Sequence, residues 1–234
     1  EISAAIQQGE TAGVPVKITL TRDVRDANLN GGDVTVNVAD KTLTLLYNTP
    51  ISQGQVTIIG DEGAKLGNVK NVTVTDEGKL TMGIGIGNAN GYQDISFKVM
   101  NGGTLNITGG TNEHSGMEGK LITATDEGST VNISGGNFTS SGKSFKLVEA
   151  QTGAVVNVTG GTFSSSGEAS VVFYANGGTI NISDCKVSVN GNIFQIDNGG
   201  QIVVTGGTFS QNPSDYVAEG HTVTNNGNGT WTVQ

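Results

Sequence analysis

Apolar and polar residues alternate in short triplets that recur along most of the chain at a nearly constant interval. Each triplet follows within three residues of a glycine, and these glycines lie 22 to 25 residues apart. The eight triplets begin at Val34, Val56, Leu80, Leu105, Val131, Val156, Ile180 and Ile202. All but the last read apolar–polar–apolar, which is the period of a strand with one buried face. The pattern therefore predicts one strand in every repeat.

Each repeat contains two further strand-like segments. One follows a Gly-Gly pair and places Phe138, Phe163 or Phe209 two residues beyond it, a position that Val187 takes in its own repeat. The other precedes the next turn, as in "FKLVEAQTG" and "VVFYANGG". Three short strands in so few residues predict one coil of a parallel β-helix. A single coil cannot bury its own apolar side chains, so it must stack on its neighbours at a spacing of about 4.8 Å.

The predicted fold is an all-β, single-stranded right-handed parallel β-helix of about eight coils, formed by residues 1–234 as one domain. Residues 1–28 are predicted to form the N-terminal cap region, 29–209 the coils and 210–234 the C-terminal cap. The first residues have an amphipathic helical pattern that ends between Gly9 and Gly13. Near the end, Asn212 and Pro213 indicate the start of a second helix, followed by a hairpin that carries Trp231. Caps are expected because an open β-helix end exposes strand edges and core.

Composition and charge restrict the function only broadly. The 37 glycines suit many tight turns, and the net charge of -9 argues against a nucleic-acid partner. The single cysteine, Cys185, excludes an intrachain disulfide and fits either a reducing compartment or a surface protein. No apolar run is long enough for a membrane span. Because no leader pattern is visible at Glu1, we interpret the chain as a mature segment.

Three stretches resemble a known class of proteins. The recurring "NISGGNF" and "NVTGGTF", the opening "ISAAIQQGE" and the ending "SDYVAEGHTVTNNGNGTWTV" are similar to β-helix modules of surface proteins from Gram-positive gut bacteria. The resemblance covers nearly the whole chain and implies an extracellular or cell-wall-associated location. More distantly it implies the pectin-lyase-like fold, several members of which cleave acidic polysaccharides. The expected partners are a host or plant polysaccharide or a surface protein, and the expected state is a monomer.

The sequence assigns no catalytic residue. An enzyme acting on glycosidic bonds needs carboxylates, with basic residues, on one exposed face. The outward positions of the triplets carry Thr, Asn and Val, and the two arginines, Arg22 and Arg25, lie near the N-terminal cap. The sequence therefore favours a non-catalytic adhesin or structural spacer. The alternative is a pectin-lyase-like protein that binds or cleaves polysaccharide.

The outward column of the triplets is the predicted binding face. Its members are Asn106, Asn132, Asn157 and Asn181, with Thr108, Ser134, Thr159 and Ser183 beside them and Tyr174 on another strand. Tyr174 is predicted to point outward because Val171 and Phe173 alternate inward. One interpretation of the column is a structural ladder in which neighbouring amides bond one another. The other is a flat amide–hydroxyl strip that recognises sugar.

Two acidic turns are weak candidates for a calcium site, the only cofactor considered. They are Asp76-Glu77 and Asp126-Glu127, which are two coils apart in the predicted stack. Calcium takes several oxygen ligands, but Asp and Gly are also ordinary turn residues, and that interpretation is favoured. His114 is predicted to be solvent-exposed and Cys185 to be an inert thiol.

Overall fold

The computed structural model describes residues 2–67, 69, 71–86, 95–115, 118–143, 145–167 and 170–234. These residues form a solenoid of parallel strands with three faces, which confirms the predicted all-β parallel β-helix. Within the described part, seven turns have a strand on every face, and a partial turn flanks them at each end. The sequence predicted about eight coils. The right-handed sense remains a prediction from the crossover rule.

The first face is a parallel sheet whose strands follow one another in chain order. Its nine strands, among the residues described, are Val16–Thr19, Gly32–Asn37, Gly54–Ile59, Lys79–Met82, Thr104–Ile107, Thr130–Ile133, Val155–Val158, Thr179–Ile182 and Gln201–Val204. Eight of them contain the predicted triplets. The strand Val16–Thr19 pairs with Gly32–Asn37, so coil pairing begins before residue 29.

The second face is formed by two sheets. The sheet of the early coils contains Val24–Ala27, Thr42–Leu45, Lys65–Gly67 and Gly85–Ile86. The sheet of the later coils contains Thr111–His114, Asn137–Ser140, Thr162–Ser165, Lys186–Val189, Gly207–Phe209, Val223–Asn225 and Trp231–Val233. Its last two strands are antiparallel, and the others are parallel.

The third face is a parallel sheet that follows the second in each complete turn. Its strands are Pro50–Ser52, Val72–Thr75, Ile95–Val99, Gly119–Ala124, Phe145–Gln151, Val171–Asn176 and Asn192–Asp197. Its later strands are buried on both sides over several residues, whereas the first face alternates buried and half-buried positions. The third face is therefore less regular than the first.

Equivalent residues of successive coils lie directly opposite one another. Val131 pairs with Val156 and Ile133 with Val158, and these side chains are fully buried. The rings of Phe138 and Phe163 stack with centroids 4.7 Å apart and planes 8° apart. The hydrophobic core is therefore a set of columns along the solenoid axis, as the repeat predicts. Removal of these columns from water drives the coils together.

Two physical requirements explain the recurring turn glycine. A Cβ atom on Gly103 would lie 2.3 Å from the carbonyl oxygen of Val74 on the preceding coil, so only glycine permits this approach. Gly153 instead has a φ of +81°, a conformation that L side chains rarely adopt. The turn glycines thus allow each coil to pack directly against the preceding coil.

The N-terminal helix Ile2–Ala12 covers the first coil and buries Ile6. Gly9 lies inside the helix, where a Cβ atom would meet the side chain of Val16, so the helix packs closely on the first strand. Gly13, with a φ of +66°, follows the last helical residue, within the predicted window. In the part of the chain that the structure describes, no helix has the length and apolar character needed to cross a bilayer.

The C-terminal cap differs from the prediction in one respect. Ser214–Tyr216 forms a single 3₁₀ turn rather than a longer helix, and the Asn212 side-chain oxygen accepts a bond of 3.1 Å from the Ser214 amide. The helix does not continue because the chain turns away to form a bridge between Val217 and Val204.

The hairpin that follows confirms the prediction, because Trp231–Val233 pairs antiparallel with the last coil strand. Trp231 lies opposite Phe209 in that pairing. On the third face, the Gln211 amide donates to the Gly191 carbonyl and accepts from the Ile193 amide. Each face therefore ends against a different covering element.

We predict that Phe163→Ala lowers the free energy of unfolding by about 3–5 kcal/mol, because it empties the centre of a fully buried aromatic stack. Urea denaturation measures this change. Ile59→Ala is the matched control: its side chain is 42% exposed, and a change of no more than about 0.5 kcal/mol is expected. A smaller loss for Phe163→Ala than for Ile59→Ala would contradict a core of stacked columns.

Candidate functional site

The asparagines of the first face form a continuous hydrogen-bonded ladder. The Nδ2 of Asn132 donates to the Oδ1 of Asn106 over 2.9 Å, and Asn157 and Asn181 repeat this bond at 2.9 and 3.0 Å. Asn106 donates in turn to the hydroxyl of Thr81. These side chains are half-buried. Each amide has a second N–H and further acceptor capacity, so only part of the ladder's polarity remains for a ligand.

The hydroxyl row beside the ladder is turned toward the backbone. Thr108 donates to the carbonyl of Met82 over 3.2 Å, and the Ser134 hydroxyl to the carbonyl of Ile107 over 3.5 Å. Thr159 makes the same contact one coil later. Ser183 is exposed at the corresponding position of the next coil. The first face therefore presents a polar surface whose groups bond mainly along the stack.

The two acidic turns are placed as turn-forming residues. Asp76 and Glu77 have φ values of 49° and 63°, and Asp126 has a φ of 74°. Asp and Asn are among the few non-glycine residues that enter this region readily. Asp76, Glu77 and Glu127 are exposed. Among the described residues, no three His, Cys, Asp or Glu side chains are grouped so that they could hold a metal ion.

The prediction of an exposed His114 was wrong. His114 is only 2% exposed, and its ring stacks on Phe145 with centroids 3.9 Å apart. The segment Thr111–His114 is a strand, and its alternate residues Asn112 and His114 are both buried. Cys185 is buried as well, and burial together with Asp184 raises the pKa of its thiol to about 12. Both features are consistent with the prediction of an inert thiol, which remains a prediction.

The other aromatic residues form no common platform in the described chain. Tyr47 is 58% exposed near the start of the solenoid, whereas Tyr216 packs on Phe194 at 4.5 Å in the C-terminal cap. Tyr92, whose ring could also stack on a sugar, lies outside the described residues.

Tyr174 connects to a charged network on the third face. Its neighbours in register are Glu149 and Gln195, and it is only 7% exposed. Its hydroxyl donates to the Oδ2 of Asp197 over 2.8 Å, and the Nζ of Lys146 lies 4.0 Å from the ring centroid. Burial and the hydrogen bond to Asp197 raise the pKa of Tyr174 to about 12.

Glu149 is the centre of this network. It is 1% exposed, and its Oε2 lies 2.5 Å from the Nζ of Lys120. The Gln151 amide donates to the other carboxylate oxygen over 2.8 Å. A buried carboxylate of this kind needs such partners, because an isolated charge is costly in the interior. We call Lys120, Lys146, Glu149, Tyr174 and Asp197 the third-face cluster.

Two lysines of the third-face cluster are neighbours on adjacent strands. Lys120 and Lys146 are direct partners in the strand register. Partial burial lowers the pKa of Lys146; the nearby Glu149 opposes this shift and Lys120 adds to it. Lys146 is therefore held where its charge is less well solvated than at an open surface.

Sequence reasoning identified only Tyr174 in this cluster. The missing signal was a column: Thr123, Glu149, Tyr174 and Gln195 occupy equivalent places in the third strands of four successive coils. Aligning those strands, as was done for the first-face triplets, would have shown polar residues in register. The ion pair with Lys120 could not be read in this way, because it joins different positions of neighbouring coils.

A second polar surface lies on the second face. Small hydroxyl residues line a shallow groove of about 470 Å³, among them Thr139, Ser164 and Ser188, which are in register. Glu113 lies at the start of the same column. The groove has few charges, and the more differentiated chemistry is that of the third-face cluster.

Comparisons of this chain with protein-family models, with curated proteins and with solved structures find no match. A fold alone does not define an activity, so the chemistry of the chain's own residues is what bears on its function.

We expect Asn132→Ala to lower the free energy of unfolding by about 2 kcal/mol, because the substitution removes two ladder bonds at about 1 kcal/mol each. Asn181→Ala removes only the bond to Asn157 and should cost about half as much. Urea denaturation of both variants measures the difference. Equal losses would show that the ladder bonds do not carry the stability.

A pH dependence is expected from Tyr174. Its folded-state pKa of about 12 lies above the ordinary value of 10, so the fold favours the neutral phenol. The resulting stability is fully present below pH 10 and is lost as the pH rises toward 12. Tyr174→Phe should therefore remove this alkaline loss, measured by thermal unfolding across the range. Tyr47→Phe, at an exposed tyrosine, should leave the alkaline loss of stability unchanged. If Tyr47→Phe removed this loss and Tyr174→Phe did not, the assignment to Tyr174 would be contradicted.

Proposed function

We propose that this chain is a non-catalytic β-helix module of a bacterial cell-surface protein, acting as an adhesin or structural spacer in an extracellular or cell-wall-associated setting. The observation that carries the proposal is the unbroken register of the first face. Its nine described strands pair parallel in chain order, from Val16–Thr19 to Gln201–Val204. The resemblance to surface modules supplies the setting.

A solenoid of this kind acts as a stiff rod. The nine strands of the first face are separated by eight steps of about 4.8 Å, so its first and last strands lie about 38 Å apart. Every coil contacts only its neighbours, and the column of core side chains runs along the rod. Such a rod would keep segments attached to its two ends at a fixed distance from each other. Its long flat faces would be accessible to a partner.

The second candidate function is binding or cleavage of polysaccharide. The third-face cluster favours it, because it places a buried carboxylate, lysines and a tyrosine hydroxyl on one outer face. Such groups recognise polar, hydroxyl-bearing ligands, and paired acid and base groups are also what bond cleavage needs. The two candidate functions make different predictions about turnover.

Beads coated with the chain should be retained on at least one of a panel of immobilised host and plant polysaccharides, without release of reducing ends. Retention is measured by bead counts under flow, and cleavage by a reducing-sugar assay on the same surface. Beads coated with urea-unfolded chain are the control. Release of reducing ends from any member of the panel would contradict the non-catalytic proposal and support the enzyme.

The spacer role has its own test. Lys17 and Gln201 are exposed residues on the first and last strands of the first face. With K17C and Q201C introduced into a Cys185→Ser background, two dyes should report one narrow distance distribution near about 38 Å, allowing for dye linkers. A broad distribution would contradict a stiff rod.

A further inference from the structure

We propose that the third-face cluster, extended by Lys98 and Thr123, is a binding site for the sulfate ester of a sulfated saccharide. The inference rests on the proposed adhesin function and names the chemical group that the adhesin would recognise.

Three lysines occupy successive coils on this face. Lys98, Lys120 and Lys146 lie on the strands Ile95–Val99, Gly119–Ala124 and Phe145–Gln151. Lys120 is directly opposite Lys146, and Lys98 is opposite Thr123, whose own partner in register is Glu149. The chain has a net charge of -9, so three lysines on one face are an exception to its overall negative charge. A local reversal of charge marks a place where an anion is attracted.

Lys146 is the lysine whose charged form an anionic ligand would stabilise most. Its ammonium group lies over the Tyr174 ring, and within the described residues no carboxylate is at ion-pair distance from it. Glu149 and Asp197 favour the charged form of Lys146 from beyond ion-pair distance, and Glu149 directly contacts Lys120 and Gln151 instead. An anionic ligand beside Lys146 would restore the favourable interaction that partial burial removes.

Thr123 adds an independent sign of a ligand. It is 2% exposed, and its hydroxyl has no hydrogen-bond partner among the residues that the structure describes. It lies between Lys98 and Glu149 in the strand register. A buried hydroxyl without a partner is uncommon in folded proteins and requires an explanation. A ligand oxygen held between the lysines would supply the missing acceptor.

The residue types select the kind of anion. Planar carboxylates are matched best by the two-pronged guanidinium of arginine, whereas lysine is a compact point charge that suits a rotationally symmetric oxyanion. Both arginines of the chain, Arg22 and Arg25, are far along the sequence from this face, which carries lysine alone. Three lysines against Glu149 and Asp197 leave one net positive charge, which a singly charged sulfate ester neutralises. A phosphate ester, with a charge between about -1.5 and -2, would be overmatched.

The remaining groups suit the saccharide that carries the sulfate. The Asp197 carboxylate accepts bonds of 2.8 Å from both Tyr174 and Gln195, and Asp197 itself is exposed. Its free acceptor capacity and the Gln195 amide are available to sugar hydroxyls.

The test compares three polymers with one backbone: dextran sulfate, carboxymethyl dextran and unsubstituted dextran. The complete chain is expected to bind dextran sulfate at least 10-fold more tightly than carboxymethyl dextran, and unsubstituted dextran not at all. Binding is measured by surface-plasmon resonance, and free inorganic sulfate should compete. Equal affinity for the two anionic polymers, or no affinity for dextran sulfate, would overturn the sulfate assignment.

Lys146→Gln and Lys98→Gln should each weaken dextran sulfate binding about 10-fold and reduce its salt dependence by about one released counterion. Lys186→Gln, at an exposed lysine of the second face, is the matched control and should leave affinity within 2-fold, apart from the small effect of net charge. Lys120 is retained because its removal would leave Glu149 buried without an ion pair. Equal losses in all three variants, or no loss at Lys146 and Lys98, would contradict a site at this cluster.

A phosphoserine peptide tests whether the tetrahedral oxyanion comes from a phosphorylated protein instead of a saccharide. Tighter binding of that peptide than of dextran sulfate would overturn the saccharide assignment.

The outcomes also separate this inference from the proposed function. If beads adhere to a polysaccharide and Lys146→Gln has no effect on adhesion, the adhesin stands and the sulfate site fails. If neither beads nor chain bind any polymer, the adhesin role and the sulfate site both fail, and the spacer role depends on its own test. Thermal unfolding of each variant, expected to match the unsubstituted chain, excludes loss of fold as the cause.

Discussion

Parallel pairing of each strand with the equivalent strand of the next coil is the constraint on which the rest of the structure depends. Under this pairing, a side chain at any position must be compatible with a copy of its own kind above and below it. Valine and isoleucine meet the requirement by stacking in the dry core. Asparagine meets it because an amide can donate to one neighbour and accept from the other, as between Asn132 and Asn157. Charged residues do not meet it, since like charges opposite one another repel.

The third face departs from this rule, and the departure gives the molecule its differentiated chemistry. Lys120 opposite Lys146 is an unfavourable pairing in register, and the ion pair between Lys120 and Glu149 offsets it. Natural sequences tend to break local consistency where a site is needed. The first face shows the contrasting case, in which a uniform column bonds mostly to itself. If the proposed functions hold, the adhesin and rod properties belong to different faces of one solenoid, and a change in the third-face cluster would alter recognition without altering the rod.

The sequence was sufficient to predict the first face and the phenylalanine stack, because their period is constant and their alternation is regular. It did not reveal the strand Val16–Thr19, because the turn glycine before it, Gly13, also ends the N-terminal helix and lies 19 residues from Gly32, outside the interval of the other repeats. Nor did it reveal the shortness of the C-terminal helix, which tertiary pairing at Val204 ends early. The third-face cluster was largely hidden for a different reason. Leu147 and Val148 are adjacent and both buried, so the two-residue alternation breaks there and outward positions cannot be read by counting. Contacts between unlike positions, such as Lys120 with Glu149, require the folded register.

The antiparallel strand Trp231–Val233 has a consequence for self-association. A parallel solenoid presents at its end a row of amide and carbonyl groups that could serve as a template for the first coil of another copy, and repeated addition would yield a filament. Trp231–Val233 pairs with the last coil strand of the second face, and the edge left open belongs to the three-residue strand Val223–Asn225 rather than to a full coil. The Gln211 side chain occupies groups of the third face at the same end. Head-to-tail polymerisation at this end would first require the hairpin to detach. The hairpin therefore opposes the growth of a filament from this end.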